Sequence, residues 1–322
     1  MNRDKTIDNL RGLAMFGMIM IHAASYYLRD RTTLLLWDNL QWVVPVFFFS
    51  SFYLFFLKTK EIKKEETMPF LKKRFSRLLL PYYVFLAAYF FLVFFFDKNH
   101  FNSNFFLANV FLYGGLSFNW ITLIFLYFSV LLPLVWYAKR NKIIYWGIFA
   151  VSVSSSFYFI FARPLPYRAI FWLPWLTYMF FVNFFIENKN NQKKLFLTAG
   201  LSLILFLILR QVEINIGHNL TQYENKYPPT LYHLSFGVFW VIILHWLSEK
   251  NLFSFLKFDR LLYFLSVHSY PIFFTHLLAI FVIQWLHLMP PNWPIFFVEI
   301  FGLSVITQIL YLRLGRAFAR GH

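Results

Sequence analysis

The sequence predicts an all-α integral membrane protein, a bundle of about ten transmembrane helices with both termini on the cytoplasmic side. Three observations carry that prediction. The chain of 322 residues is 59% hydrophobic and 24% aromatic but only 14% charged, whereas about a quarter of the residues in a soluble domain are charged. Its apolar residues, 46 Phe among them, fall in runs of roughly 18 to 25, the length a helix needs to cross a bilayer. Its 30 Lys and Arg also segregate: with the termini inside, 23 fall on cytoplasmic segments and 7 on outer ones, and positive charge marks the cytoplasmic side.

The balance of +16 is therefore read as topology plus attraction to anionic membrane lipid, not as nucleic-acid binding. Cysteine is absent, which excludes disulfides, thiolate metal sites and a Cys nucleophile. The first apolar stretch is long, carries charges and lacks a small-residue cleavage pattern, so no cleavable signal peptide is expected. Neither an internal repeat nor an appended soluble domain is expected, and residues 1–322 are read as one transmembrane domain.

The expected spans are centred on 8–28, 40–57, 77–96, 119–138, 143–162, 168–187, 195–212, 230–248, 262–287 and 294–313. Between the third and fourth, "FNSNFFLANVFLYGGLSF", residues 101–118, is apolar but broken by Asn, Ser and Gly-Gly, and reads as a loop or re-entrant piece.

The first span, "IDNLRGLAMFGMIMIHA", carries Asp8, Arg11 and His22. Ionisable groups in lipid are costly and mark function by default. Eleven helical residues advance about 16 Å and three turns plus roughly 20°, so Arg11 and His22 share a face. Arg11 lies at the cytoplasmic mouth, with Asp8 one turn before it, and His22 lies most of the way across. Two readings stand: a base and the mouth of a channel, or a helix-contact histidine and a headgroup anchor.

Before the third span, "FLKKRFSRLLLPYY" crowds Lys72, Lys73, Arg74 and Arg77 together, with Pro81 expected to kink the first turns of the span. Lipid attraction accounts for the basic run at 58–64. Arg74 and Arg77, one turn apart and leading into the span, suit a phosphate-bearing ligand at the cytoplasmic face. On the outer side Arg163 and Arg168 flank "RPLPYR" and are candidates for an anionic sugar or lipid-linked phosphate, with interfacial anchoring as the other reading. In "KYPPTLYHL" the prolines open the eighth span, and Tyr232 and His233 are placed toward an outer vestibule. No metal-ligand spacing stands out, and no metal is expected.

Four stretches in order, "IDNLRGLAMFGMIMIHA", "VPVFFFSSFYLF", "FLKKRFSRLLLPYY" and "HSYPIFFTHLLAIF", resemble the ordered motifs of the membrane acyltransferase-3 family, bacterial enzymes that O-acylate cell-envelope glycans. The similarity runs over most of the chain, with the middle matched by hydropathy and by "FNWITLIFLYF". One departure is Ser51-Phe52, where the family usually has Ser-Gly. The resemblance implies a multi-pass protein of the bacterial inner membrane with acyl-coenzyme A, acetyl-CoA foremost, as co-substrate and a glycan or lipid-linked sugar as acceptor. It implies an Arg-to-His pair matching Arg11 and His22, a basic motif matching Arg74 and Arg77, which with the neighbouring Lys73 are expected to bind the donor, a tryptophan matching Trp120 and a late Ser-Tyr…His motif matching Ser269, Tyr270 and His276, with Trp120, Tyr270 and His276 expected on the substrate side. The chemistry agrees: transfer from a thioester to a hydroxyl needs a base for the hydroxyl proton, a role for His22, with Asp8 and Arg11 arranging the mouth. N-acetylation of an amino sugar and export of a glycan intermediate are the alternatives. Export is disfavoured by the lack of a repeat.

Overall fold

The computed structural model describes residues 4–58, 64–97, 102–163 and 166–320. Arg3, Lys60, Lys63 and Lys98 of the charge distribution, with Phe101, Pro164 and Leu165, lie outside the described residues. Among the described residues no strand forms, and a lone bridge between Lys226 and Pro229 is the β-type pairing present. The helices are α1 (Lys5–Ala24), α2 (Arg31–Asn39), α3 (Val43–Lys58), α4 (Lys64–Phe96), α5 (Ser103–Val110), α6 (Trp120–Ala138) and α7 (Lys142–Tyr158). They continue as α8 (Trp172–Asn188), α9 (Gln192–Asn215), α10 (Leu231–Glu249), α11 (Leu252–Phe255), α12 (Asp259–Val267), α13 (Ser269–Trp285) and α14 (Trp293–Arg320).

Each of the ten expected spans coincides with a helix, but fewer qualify as crossings by length and composition. Among the described residues seven helices are long and apolar enough to cross a membrane, or up to eight if the bent pair α12–α13 is one span. The other two of the expected ten are α1, diluted by Asp8, Asn9, Arg11 and His22, and α7, with 17 residues. Three spans are also redrawn. The second begins at Arg31, because α2 runs through a 3-10 turn at Leu40–Trp42 into α3. α4 starts at Lys64 and not at residue 77, and continues without a break past Pro69 and Pro81. At 33 residues it is about 50 Å long, so the basic motif lies in helical turns and not in a loop. The ninth expected span is broken at His268, where α12 and α13 meet at 87°. Of segment 101–118 the described residues, 102–118, form α5 and a turn pinned by the buried Asn109, whose Oδ1 accepts from Leu116 N (2.9 Å) and Asn119 Nδ2 (3.1 Å).

α1 sits at the centre of the bundle, packed on α3, α12, α13 and α14. Lipid tails are as apolar as the side chains, so close packing rather than water exclusion holds such helices together. Gly12 permits the tightest approach: a Cβ there would lie 2.1 Å from the Leu262 carbonyl oxygen of α12. Around Phe48 the core is an edge-to-face aromatic lattice, with Phe125, Phe128 and Trp175 at centroid distances of 5.2, 5.1 and 4.7 Å. Phe52, the departure from the family motif, is fully buried and stands edge-on to Phe128 at 4.7 Å. Gly12→Ala is expected to force α1 and α12 apart and to cost about 1–3 kcal/mol or more, seen as a lower melting midpoint in detergent. Gly302→Ala, where a new Cβ would meet nothing within 4 Å, should leave the midpoint in place.

Candidate functional site

α1 sets the frame of the site, because its stripe points Arg11 and His22 into the bundle at opposite ends. His22 Nδ1 lies 2.7 Å from Nε2 of His276 on α13, and the rings stack 5.0 Å apart at 13°. The partners assign the tautomers. Nδ1 of the buried His276 is 3.0 Å from the Ile272 carbonyl, and a carbonyl only accepts, so that nitrogen carries the proton. Nε2 of His276 is then an acceptor, and His22 Nδ1 donates to it. In neutral His22 this leaves Nε2 with its lone pair, the form a general base needs. Phe273 packs against both imidazoles, at 6.3 and 5.5 Å.

At the other end Arg11 Nε donates to Ser269 Oγ (3.0 Å), with its guanidinium 5.8 Å from the Phe47 ring centroid. Buried Asp8, one turn earlier, accepts from Ser266 Oγ at 2.8 Å. Both serines flank the bend at His268, so that bend delivers the partners of the α1 charges. Arg74 Nε donates to Ser129 Oγ at 3.2 Å and the side chain lies over Phe70 at 5.6 Å. Arg74 also sits in the field of two further guanidiniums, Arg77 and Arg11. The basic motif of α4 and the arginine of α1, more than sixty residues apart in sequence, thus form one cationic cluster. Lys73 and Arg77 are exposed on the same turns.

Between cluster and dyad runs an apolar seam containing a small enclosed cavity, lined by Met15 and Met18 of α1, Phe47, Phe125, Tyr270 and Phe273. Tyr270 also donates to the Leu78 carbonyl at 2.7 Å, tying α13 to α4. As it stands the seam is closed, but its methionines are the side chains best suited to repacking around an inserted chain.

Within electrostatic reach of the dyad stands Lys226, which sequence reasoning counted only as an outer-loop cation. It is 4% exposed. Its Nζ donates to Gln41 Oε1 at 2.7 Å and lies 5.8, 5.0 and 4.9 Å from the ring centroids of Trp120, Tyr223 and Tyr227. Burial pushes its ammonium down to about 7, with Asp38 opposing the shift, and its charge reaches His22. A buried lysine inside an aromatic cage is held there at a cost in solvation. The signal available in the sequence was "KYPP", a lysine followed by a tyrosine and two prolines, which hydropathy alone could not separate from a solvated loop.

The remaining acceptor-side candidates divide. Trp120 belongs to the Lys226 cage, His276 to the dyad and Tyr270 to the seam. Arg168 Nη1 donates to Asn119 Oδ1 (2.6 Å) and the Leu112 carbonyl (3.2 Å), holding the turn after α5. Arg163 pairs with Glu224 at 2.9 Å beside a separate surface pocket. Tyr232 donates to the Leu220 carbonyl at 3.2 Å and stacks on Phe206, and buried His233 faces Gln222 at 3.0 Å. Among the described residues no three His, Asp or Glu side chains converge as metal ligands.

No curated protein and no solved structure matches the chain. A family model does: the acyltransferase domain of the acyltransferase-3 group matches residues 4–312. With nearly the whole helical bundle inside that match, the chain belongs to the membrane acyltransferase-3 family.

Proposed function

We propose that this protein is an O-acyltransferase of the bacterial inner membrane. It moves an acyl group, acetyl foremost, from acyl-coenzyme A at the cytoplasmic face to a hydroxyl of an envelope polysaccharide or lipid-linked glycan. The observation that carries this reading is the placement of the Arg11, Arg74 and Arg77 cluster and the His22–His276 dyad at the two ends of one apolar seam. Guanidiniums suit the coenzyme's phosphates, and the seam between Met15 and Phe273 is the route for its pantetheine arm. At the thioester, His22 Nε2 takes the proton of the attacking hydroxyl as the new C–O bond forms. Collapse of the tetrahedral adduct breaks the C–S bond, and the imidazolium returns that proton to the leaving sulfur. His276 holds His22 in the required tautomer.

In this reading α1 and α7 cross the membrane with the others, enclosed among polar partners or short, and both termini face the cytoplasm. Reporter fusions at Glu65, Asn141 and Asn190 should then report cytoplasm and fusions at Asn99 and Asn219 the outside. A periplasmic signal at Glu65 would remove the donor cluster from coenzyme A. The activity is tested by incubating the reconstituted protein with acetyl-labelled acetyl-CoA and de-esterified envelope glycan of its host. Alkali-labile label on the glycan is the expected result. Alkali-stable label would instead mark an amide on an amino sugar, and no incorporation would refute transfer.

A further inference from the structure

We infer that Phe273 sets the size of the acyl group this protein accepts, holding the room in front of the His22–His276 dyad to that of an acetyl unit. The inference deepens the transferase reading and rests on it for the direction from which the donor enters. With the coenzyme's phosphates at the cationic cluster, the acyl end of the donor leads into the seam and is what arrives at the dyad.

Helix geometry puts Phe273 in that path. α1 and α13 are tied at the cytoplasmic end by Arg11 Nε and Ser269 Oγ (3.0 Å) and at the dyad by His22 Nδ1 and His276 Nε2 (2.7 Å). Between these ties, Met15 and Met18 of α1 and Tyr270 and Phe273 of α13 line the same enclosed cavity. Residues three apart on a helix share a face, so Tyr270, Phe273 and His276 form one line that leads to the dyad. Phe273 is the member that meets both the cavity and the imidazoles: it lines the first, and its ring packs against His22 (6.3 Å, 56°) and His276 (5.5 Å, 68°).

The two walls of the seam differ in stiffness. Methionine is unbranched and has three rotatable bonds, so Met15 and Met18 can yield to a thin chain. Phe273 is 5% exposed and wedged among Phe118 (6.3 Å, 76°), Phe274 (5.3 Å, 74°) and the two imidazoles. In a close-packed interior such a ring moves only if several neighbours move with it. The cavity it closes is about 10 Å³, room for about one water-sized group. The methyl of an acetyl unit is close to that size, whereas each further methylene of a longer acyl chain would have to take space that the Phe273 ring fills. The pantetheine arm therefore passes on the methionine side, and the ring limits what precedes it.

The test is binding and transfer measured in parallel on the full chain in detergent, with coenzyme A, acetyl-CoA, butyryl-CoA and hexanoyl-CoA. We expect acetyl-CoA to bind about as tightly as coenzyme A and hexanoyl-CoA at least tenfold more weakly, with kcat/KM falling in the same order. In Phe273→Ala the preference for acetyl over hexanoyl should shrink at least tenfold in both measurements. In Phe273→Leu, which keeps the position apolar and removes less volume, it should shrink by less. The ratio between donors within one variant is the readout, because partial unfolding lowers every donor together and leaves the ratio in place. An unaltered chain that treats hexanoyl-CoA and acetyl-CoA alike, or a preference unmoved in both variants, would overturn the size limit and leave the transferase reading standing. Selective binding that relaxes in Phe273→Ala, in a protein that transfers no acyl group, would uphold the size limit while refuting the transferase reading. A chain that binds none of the four would overturn both.

Discussion

His22→Ala is expected to lower acyl transfer by about 10³-fold, within the range a positioned general base contributes, while coenzyme A binding and detergent stability stay close to their original values. The imidazole acts in the transition state, so its loss should fall on kcat and spare donor affinity. Steady-state transfer with labelled acetyl-CoA, alongside equilibrium binding of coenzyme A, separates the two. His276→Ala should cost less, because His22 retains a basic nitrogen but loses the 2.7 Å partner that fixes which one it is. Direct transfer also predicts no acylated protein when acceptor is withheld. Acyl label trapped on His22 would replace the general-base mechanism with a covalent one. Full transfer by His22→Ala would reduce the dyad to a helix contact.

Arg74→Ala combined with Arg77→Ala should weaken donor binding by roughly a hundredfold. Charge-assisted hydrogen bonds are worth about 1.5–3 kcal/mol each where water is excluded, and each 1.4 kcal/mol is a factor of ten. Half-buried Arg74 should carry most of the loss and exposed Arg77, screened by solvent and salt, the smaller part. Lys at both positions should restore only a fraction, since an ammonium cannot bond a phosphate in bidentate fashion. Isothermal titration with coenzyme A, compared with dephospho-coenzyme A, measures the effect. Unchanged affinity in a folded double variant would leave these arginines as lipid anchors.

Most of the helical architecture was legible because its cause is local. A run of apolar residues in lipid must satisfy its backbone within itself, so composition and run length placed a helix at every expected span. The same locality made the shared face of Arg11 and His22 readable, because a period of 3.6 fixes which residues align. Boundaries were less legible where a helix carries charge: α4 extends through its basic turns because lysine and arginine are good helix formers, although hydropathy stops at residue 77.

What stayed hidden was decided by contacts between distant segments. The bend at His268 has no hydropathy signature, yet it carries Ser266 and Ser269 to Asp8 and Arg11. The resemblance named His276, but only the packing of α13 on α1 set its Nε2 against His22, 254 residues away, and thereby chose the tautomer. Lys226 was invisible for the same reason: burial belongs to the fold around a residue, and its cage is assembled from two separate segments, Trp120 on α6 and the loop before α10. By itself the sequence determined a helical membrane bundle and the face on which Arg11 and His22 lie, since both follow from backbone hydrogen bonding and helix period. Tertiary packing decided which groups meet that face, since hydrogen bonds and ring contacts act over a few ångströms while their partners lie hundreds of residues apart.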